Sequence, residues 1–389
     1  MNAFLESGYI KLNKYGEELC GDSVETVCTK GVMTLVLADG LGSGVKANIL
    51  STMTSKIIGT MMANDMSIEE SVSTIAQTLP ICSQRQIAYS TFTILQIKLN
   101  GDAYLIQYDN PSVIFLRDGK IENYEFQTRV ICDKKIKESR FSVKSGDVFI
   151  LMSDGVIHAG VGKTLNFGWQ HENVCKYVEA HYNKEMSAKL IAATLSEACN
   201  DLYMEKPGDD ATVAVMRVRE AQLINLIIGP PLNKNDDDNV CKLFFKDKQA
   251  KKIVCGGTTS RIIENYLNEV VKIELKYEDP TLPPIGRMKG VDLVTEGVLT
   301  IGRVLDLSKN YLSNSTACVE WLNKEDAASI IAKILFEEAT DINFFVGRAL
   351  NPAHQNPDLP VTLSIKLNLI EELAKNLRIM GKNVFLYFF

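Results

Sequence analysis

In the first half of the chain, apolar residues gather in short runs of strand length, parted by glycine-bearing turns. Runs of this kind cover Glu18–Val27, Val32–Ala38, Thr91–Leu99, Asp102–Tyr108, Val113–Arg117, Arg140–Val143, Asp147–Met152 and Ala211–Arg217. Asn100-Gly101, Asp118-Gly119 and Ser145-Gly146 lie between runs as hairpin signals, which predicts antiparallel neighbours. Helical patterns cover Ser43–Ala63, Ser67–Leu79, His171–His181 and Ser187–Tyr203. In the first of them Ile49, Leu50, Met53, Ile57, Ile58 and Met61 recur at helical spacing and predict one apolar, core-facing side. Ser67 with Glu70 is a capping box at the start of the second. Antiparallel strands with helices that bury one face predict two packed sheets covered by helices, an α+β arrangement.

Around Arg219–Gln222 the pattern changes to strand, loop, helix, repeated. LINLIIGPP precedes a helix, KKIVCGGTT precedes RIIENYLNEV, and VVKIELKY leads to the proline-rich stretch Asp279–Pro284. GVDLVTEGVLTIGRVLDL, a helix beginning near Asn323, the strand DINFFVG, a helix over Thr362–Leu377 and the strand NVFLYF close the chain. This alternation predicts a smaller α/β domain with a mainly parallel sheet. The boundary is placed at 219/220, giving domains 1–219 and 220–389, as a chain of 389 residues is long for one domain.

Composition narrows the function. The content is 46% hydrophobic and 23% charged, enough for sizeable cores. The net charge of −6 comes without a basic stripe, which argues against nucleic acid or an anionic membrane as the main partner. The amino-terminal MNAFLESGYIKLNKYG has no basic region followed by an apolar run, and no segment approaches the ~18 apolar residues of a membrane span. Nine dispersed cysteines (Cys20, Cys28, Cys82, Cys132, Cys175, Cys199, Cys241, Cys255, Cys318) form no CxxC pair. They fit reduced thiols in a cytoplasm rather than a disulfide framework or a zinc site.

Chemistry concentrates in four short acidic motifs: Gly21-Asp22-Ser23, Ala38-Asp39-Gly40-Leu41-Gly42-Ser43-Gly44, Ser153-Asp154-Gly155-Val156 and Gly208-Asp209-Asp210-Ala211-Thr212. Three border apolar strands, where a rigid sheet positions a carboxylate that still reaches solvent. The adjacent glycines let a carbonyl or a phosphate approach closely. Any single Asp-Gly is most simply a turn. Four together match what two hard divalent cations about 3.5–4 Å apart require: one bridging carboxylate and a few flanking ones.

In this order the motifs resemble the metal-dependent PPM phosphatases, the protein phosphatase 2C superfamily. They are most similar to its bacterial branch, typified by the stage II sporulation phosphatase SpoIIE and the Rsb stress-response phosphatases. Tyr108-Asp109-Asn110-Pro111-Ser112 before VIFLRDGKI resembles that branch's hairpin, and the resemblance spans roughly residues 5–219. It implies a four-layer α-β-β-α sandwich that hydrolyses phosphoserine or phosphothreonine on a regulatory protein, such as an anti-sigma-factor antagonist. Two Mn²⁺ or Mg²⁺ ions would serve, with Asp39 bridging both, the Gly40 carbonyl on one, Asp154 and Asp209 holding the other, and Asp22 reaching the site directly or through water. Asp210 ranks below these. The implied chemistry is in-line attack of a metal-activated water on phosphorus, without a phosphoenzyme. No cysteine begins a CxxxxxR loop, in keeping with that.

Leu41 stands where the eukaryotic branch has a histidine, and no arginine before Asp22 matches that branch's phosphate-binding one; the bacterial branch shares both departures. His158 is a candidate general acid, though a lone histidine there is more often structural. The family also implies that the helix over Ser43–Ala63 is a switch completing the metal site, to be weighed against a static core helix. A catalytically weak or inactive scaffold of the same fold is the alternative function.

The second domain resembles no recognised family. Gly256-Gly257-Thr258-Thr259 lies between an apolar strand and a helical pattern, and reads either as an anion or small-molecule site or as a turn with a helix cap. Gly229-Pro230-Pro231 ends a strand on the same expected sheet edge. Asp236–Asp238 reads as a solvated loop or helix start, and the lone histidine in Asn351-Pro352-Ala353-His354 receives no role. A regulatory or partner-binding domain is the economical reading. The sequence leaves the oligomeric state open, a homodimer included.

Overall fold

The computed structural model describes residues 3–29, 31–78, 90–273, 284–313, 321–349 and 363–389. The chain divides into two compact units, with the break between Glu220 and Ala221.

In the first unit, β1 (Ala3–Leu12), β2 (Asp22–Thr29) and β3 (Val32–Gly40) lead into α1 (Gly44–Ala63) and α2 (Ile68–Thr78). Then come β4 (Ser90–Lys98), β5 (Asp102–Tyr108), β6 (Ile114–Arg117), β7 (Lys120–Ile121), β8 (Gln127–Ile131), β9 (Lys134–Ser142) and β10 (Val148–Met152). The single turn α3 (Asp154–Ile157), α4 (His171–His181), α5 (Ala188–Leu202) and β11 (Ala211–Glu220) complete the unit. Two antiparallel sheets result, ordered β2-β3-β4-β5-β9-β8 and β1-β11-β10-β6-β7.

Alternation along the strands builds the layers. Leu35, Leu37, Leu95 and Leu105 of the six-stranded sheet pack between the sheets against Phe149, Leu151, Ala214 and Met216. Their neighbours Val36, Ala38, Ile94 and Ile106 face the other way, under Ile58 and Met62 of α1 and Ile68 and Val72 of α2. On the far side α5 packs over β1 and β11, where a Cβ on Gly8 would lie 2.5 Å from the backbone nitrogen of Lys189. The unit is the expected four-layer α-β-β-α sandwich.

Three local expectations are corrected. Asn100-Gly101 and Asp118-Gly119 turn true hairpins, but Ser145-Gly146 joins β9 to β10 and so passes between sheets. The Tyr108–Ser112 segment does the same between β5 and β6, so it is a crossover rather than a hairpin. Most informative is α1, whose buried face is Ala47, Ser51, Thr54, Ser55, Ile58, Gly59 and Met62, while Ile49 and Met53 are exposed. Of the expected face Ile58 is buried and Leu50 and Ile57 pack partly buried against the core, so the stripe is shifted, and close approach explains the shift. A Cβ on Gly40 would sit 2.1 Å from the Ala47 carbonyl oxygen, and one on Gly59 would touch Glu25 and Val27 at 3.2 Å, so only small residues fit at these two points, whereas Ile58 and Met62 find room elsewhere on the face.

The second unit runs β12 (Leu223–Ile228), α6 (Asp237–Phe244), β13 (Lys251–Cys255), α7 (Gly257–Leu267), β14 (Lys272–Ile273), β15 (Gly286–Met288) and β16 (Val291–Thr295). It continues with α8 (Val298–Tyr311), α9 (Ala327–Ala332), β17 (Asp341–Val346), α10 (Leu363–Ile379) and β18 (Asn383–Phe388). The sheet order is β14-β15-β16-β13-β12-β17-β18, parallel from β16 to β18, with β14 and β15 antiparallel at one edge. Growth of the sheet starts at β12, moves to one side through β13 and β16, then reverses to β17 and β18. Residues of α8, α9 and α10 cover one face, and Val240, Phe244 and Ile263 from α6 and α7 cover the other.

Leu79, Cys82, Cys318, Thr362, Asn351–His354, the second half of VVKIELKY and all but the last residue of Asp279–Pro284 lie outside the described residues. Among the described residues, Cys20, Cys28, Cys132, Cys175, Cys199, Cys241 and Cys255 are free thiols, and no helix is long and apolar enough to cross a membrane.

Candidate metal centre

Asp22 opens β2 and Asp39 is the penultimate residue of β3, and antiparallel pairing sets them opposite one another. Asp154 begins α3 two residues after β10, and Asp209 stands two residues before β11, the partner of β10. Each sheet thus brings two acids to a common end of the sandwich. Asp22 is fully buried, Asp39 and Asp209 are half-buried and Asp154 is exposed, so the cluster runs from the interior to solvent.

The acids perturb one another. Burial does most to raise the pKa of Asp39, and the charges of Asp22, Asp154 and Asp209 push it further up. Burial also raises that of Asp22, against the opposing pull of Thr212 and Ser153. Asp209 is raised by burial first, partly offset by the Asp210 N–H, which donates to its Oδ1 at 3.0 Å, with Asp154 raising it too. Neither Asp22 oxygen meets a partner in good hydrogen-bond geometry, although Thr212, Ser153 and Asp39 stand near enough to act on it. Buried, unanswered carboxylate oxygens are costly unless a cation or proton meets them.

Glycines set the surrounding loops. The Gly40 N–H donates to the Gly21 carbonyl at 3.2 Å, joining the ends of the two acid-bearing strands, and Asn48 of α1 donates to the Cys20 carbonyl at 2.8 Å, fixing α1 to the lead-in of β2. A Cβ on Gly155 would lie 2.1 Å from the Asp210 carbonyl oxygen, so the Asp154 and Asp209 loops are in backbone contact. The Tyr203 hydroxyl donates to the Gly155 carbonyl at 2.7 Å and braces the same loop.

Asp210, ranked low by sequence, is more embedded than Asp154. Its Oδ1 accepts from the Lys14 N–H at 3.0 Å, and its buried Oδ2 has no hydrogen-bond partner, lying 2.8 Å from where a Gly21 Cβ would be. Ser153, whose Oγ accepts from the Thr212 N–H at 2.9 Å, lies under Asp22 and was not anticipated either. Ser153 directly precedes Asp154, the one sequence signal for it. His158 caps the C-terminal end of α3 and is exposed. Gly256, Gly257, Thr258 and Thr259 fall in the second unit at the β13–α7 junction, apart from this cluster in the fold.

All the donors here are oxygens, without thiolate or imidazole, which fits hard divalent cations. Among the described residues, no group of three or more His, Cys, Asp or Glu side chains is gathered closely enough to hold an ion as it stands.

Residues 29–219 match the family model described as Stage II sporulation protein E (SpoIIE). No curated protein sequence matches the chain. Among solved structures, the phosphatase domain of the cell fate determinant SpoIIE from Bacillus subtilis is similar at 18% identity and a TM-score of 0.44, covering 56% of this chain and 94% of that one. A second structure of that domain, with a fragment of its regulatory domain, is similar at 19% identity and a TM-score of 0.48, covering 56% and 62%. The RsbU and RsbW domains of a Mycobacterium tuberculosis protein are similar at 14% identity and a TM-score of 0.45, covering 62% and 66%. Three of the four converging acids, Asp39, Asp154 and Asp209, lie within the segment 29–219 that matches the SpoIIE family model, and Asp22 stands just before it.

Proposed function

We propose that the first unit is a metal-dependent protein phosphatase acting on phosphoserine or phosphothreonine of a regulatory protein, and that the second unit regulates it or binds a partner. The observation that carries this reading is the convergence of Asp22, Asp39, Asp154 and Asp209 from both sheets, with burial first and then a neighbouring carboxylate raising the pKa of Asp22, Asp39 and Asp209. Asp39 would hold both ions, and the Gly40 carbonyl one of them. Asp154 and Asp209 would hold the other. Asp22, at the base, would fix Asp39 or a water. Mn²⁺ or Mg²⁺ would supply an activated water and offset charge on the transferring phosphoryl group. The chain's own part is to align these carboxylates, with Ser153 and Thr212 drawing the Asp22 pKa down against its burial and Gly40 and Gly155 admitting close backbone contact; bound cations would offset the burial that otherwise favours their protonated forms. The SpoIIE family match supports a phosphorylated regulatory protein, such as an anti-sigma-factor antagonist, as substrate.

Manganese-dependent hydrolysis of p-nitrophenyl phosphate or a phosphopeptide tests this directly. Asp39→Ala and Asp154→Ala should each lower the rate by at least ~100-fold; unaffected rates would overturn the assignment. One observation favours a competing scaffold role: the described side chains are not closely gathered for an ion. Saturable manganese binding without any turnover would establish that alternative.

A further inference from the structure

We propose that the amino end of α7 in the second unit binds the phosphoryl group of a small phosphorylated molecule or inorganic phosphate. Gly256 leaves β13 with φ 109° and ψ 136°, a conformation that strongly favours glycine, and its N–H donates to the Thr295 carbonyl at 2.8 Å. The first intrahelical bond runs from the Ser260 N–H to the Gly256 carbonyl at 2.9 Å. The N–H groups of Gly257, Thr258 and Thr259 therefore precede the helix's own bonding and point out of its positive end. No side chain caps them, and α7 has no acid in its first turn.

A second, independent observation points to a ligand. Thr259 is only 1% exposed, yet its hydroxyl oxygen has no hydrogen-bond partner among the described residues. A serine or threonine hydroxyl buried without a partner is costly. This one faces the bare α-carbon of Gly256, where a Cβ would lie 3.5 Å from the oxygen. Gly257, by contrast, is exposed and has open space where its side chain would be. One buried hydroxyl, three free N–H groups and an approach over two glycines make a cradle for a tetrahedral oxyanion. Its position suits the task, at the carboxyl edge of a parallel sheet and one strand from the reversal in strand order at β12.

The neighbouring loop supplies an acid, Glu296, but its Oε2 accepts from the Leu299 N–H at 3.2 Å and so serves the start of α8. The site stands whether or not the first unit is a phosphatase.

Isothermal titration of the full chain in EDTA, which silences metal-borne phosphate binding, provides the test. Inorganic phosphate, glycerol 3-phosphate and AMP are the probes. Saturable binding is expected in the wild type, with affinity reduced at least ~10-fold by Gly257→Asp and ~5-fold by Thr259→Val, while Gly257→Ala stays within ~2-fold. An aspartate there places a carboxylate in open space at a position helices favour, so the fold should survive; should it not, Thr259→Val decides. An ester binding ~10-fold tighter than phosphate would identify a small phosphorylated molecule as the ligand, and equal binding would identify inorganic phosphate. No saturable binding up to ~10 mM, or binding lost in Asp39→Asn and kept in Gly257→Asp, would overturn the site.

Discussion

Asp39 is a half-buried acid set among other acids, and its raised pKa links the site to stability. A carboxylate whose folded-state pKa lies above its unfolded value, near 4, withdraws stability as pH rises through that window and restores it in acid. In EDTA at pH 8, Asp39→Asn should therefore melt several degrees above the wild type, and the gap should close as pH falls toward ~4. With magnesium the order should invert, because the ion stabilises only the chain that binds it. Differential scanning fluorimetry across pH checks both. At Gly40 the limit is steric: a Cβ 2.1 Å from the Ala47 carbonyl oxygen should make Gly40→Ala cost about 1–3 kcal/mol, read from urea midpoints. The acids were legible in the sequence because each sits in a contiguous motif beside a strand. The embedding of Asp210 and the support from Ser153 and Thr212 were not, since contacts across 59 and 196 positions leave no local trace.

Element by element, the strands carrying the acids were foreseeable from their apolar runs, and the Ser67–Glu70 box forms as read, with the Ser67 N–H donating to Glu70 at 2.9 Å and the Glu70 N–H to Ser67 at 3.2 Å. Strand β1 escaped notice because Gly8 and Glu6 interrupt its pattern; α5 crosses over the glycine, and Arg217 and Arg219 meet the acid. For α1 the periodicity held at Ile58 and misled at Ile49 and Met53. Hydrophobic spacing marks a core face only where the neighbour leaves room for large side chains. Beneath the first turns of α1 the Gly40 backbone takes up the room, and further along Ser55 donates to Ser23 at 2.9 Å. Ser55→Leu should then destabilise by about 1–3 kcal/mol, whereas Ile49→Ser on the exposed side should change stability by under ~0.5 kcal/mol. Chemical denaturation of the two variants distinguishes this packing from the one that hydrophobicity alone would dictate.

Across the whole molecule, each unit encloses cores of its own, and each holds one of the chain's two tryptophans, Trp169 in the first and Trp321 in the second, both buried. Single-tryptophan variants, Trp321→Phe and Trp169→Phe, should therefore report the units separately. Magnesium should raise the midpoint seen by Trp169 by several degrees and leave that seen by Trp321 within about one degree. Stability will also be uneven inside the first unit. Of the residues α1 buries, only Ile58 and Met62 are large and apolar; the rest are Gly, Ala, Ser and Thr. Little oily surface is gained when twenty residues of helix settle onto the sheet, so little is lost when they lift. Amide protons in α1 should exchange well ahead of those in β3. The helix that follows Asp39 is fastened more by fit than by grip, with Ile58 and Met62 its main hold on the core.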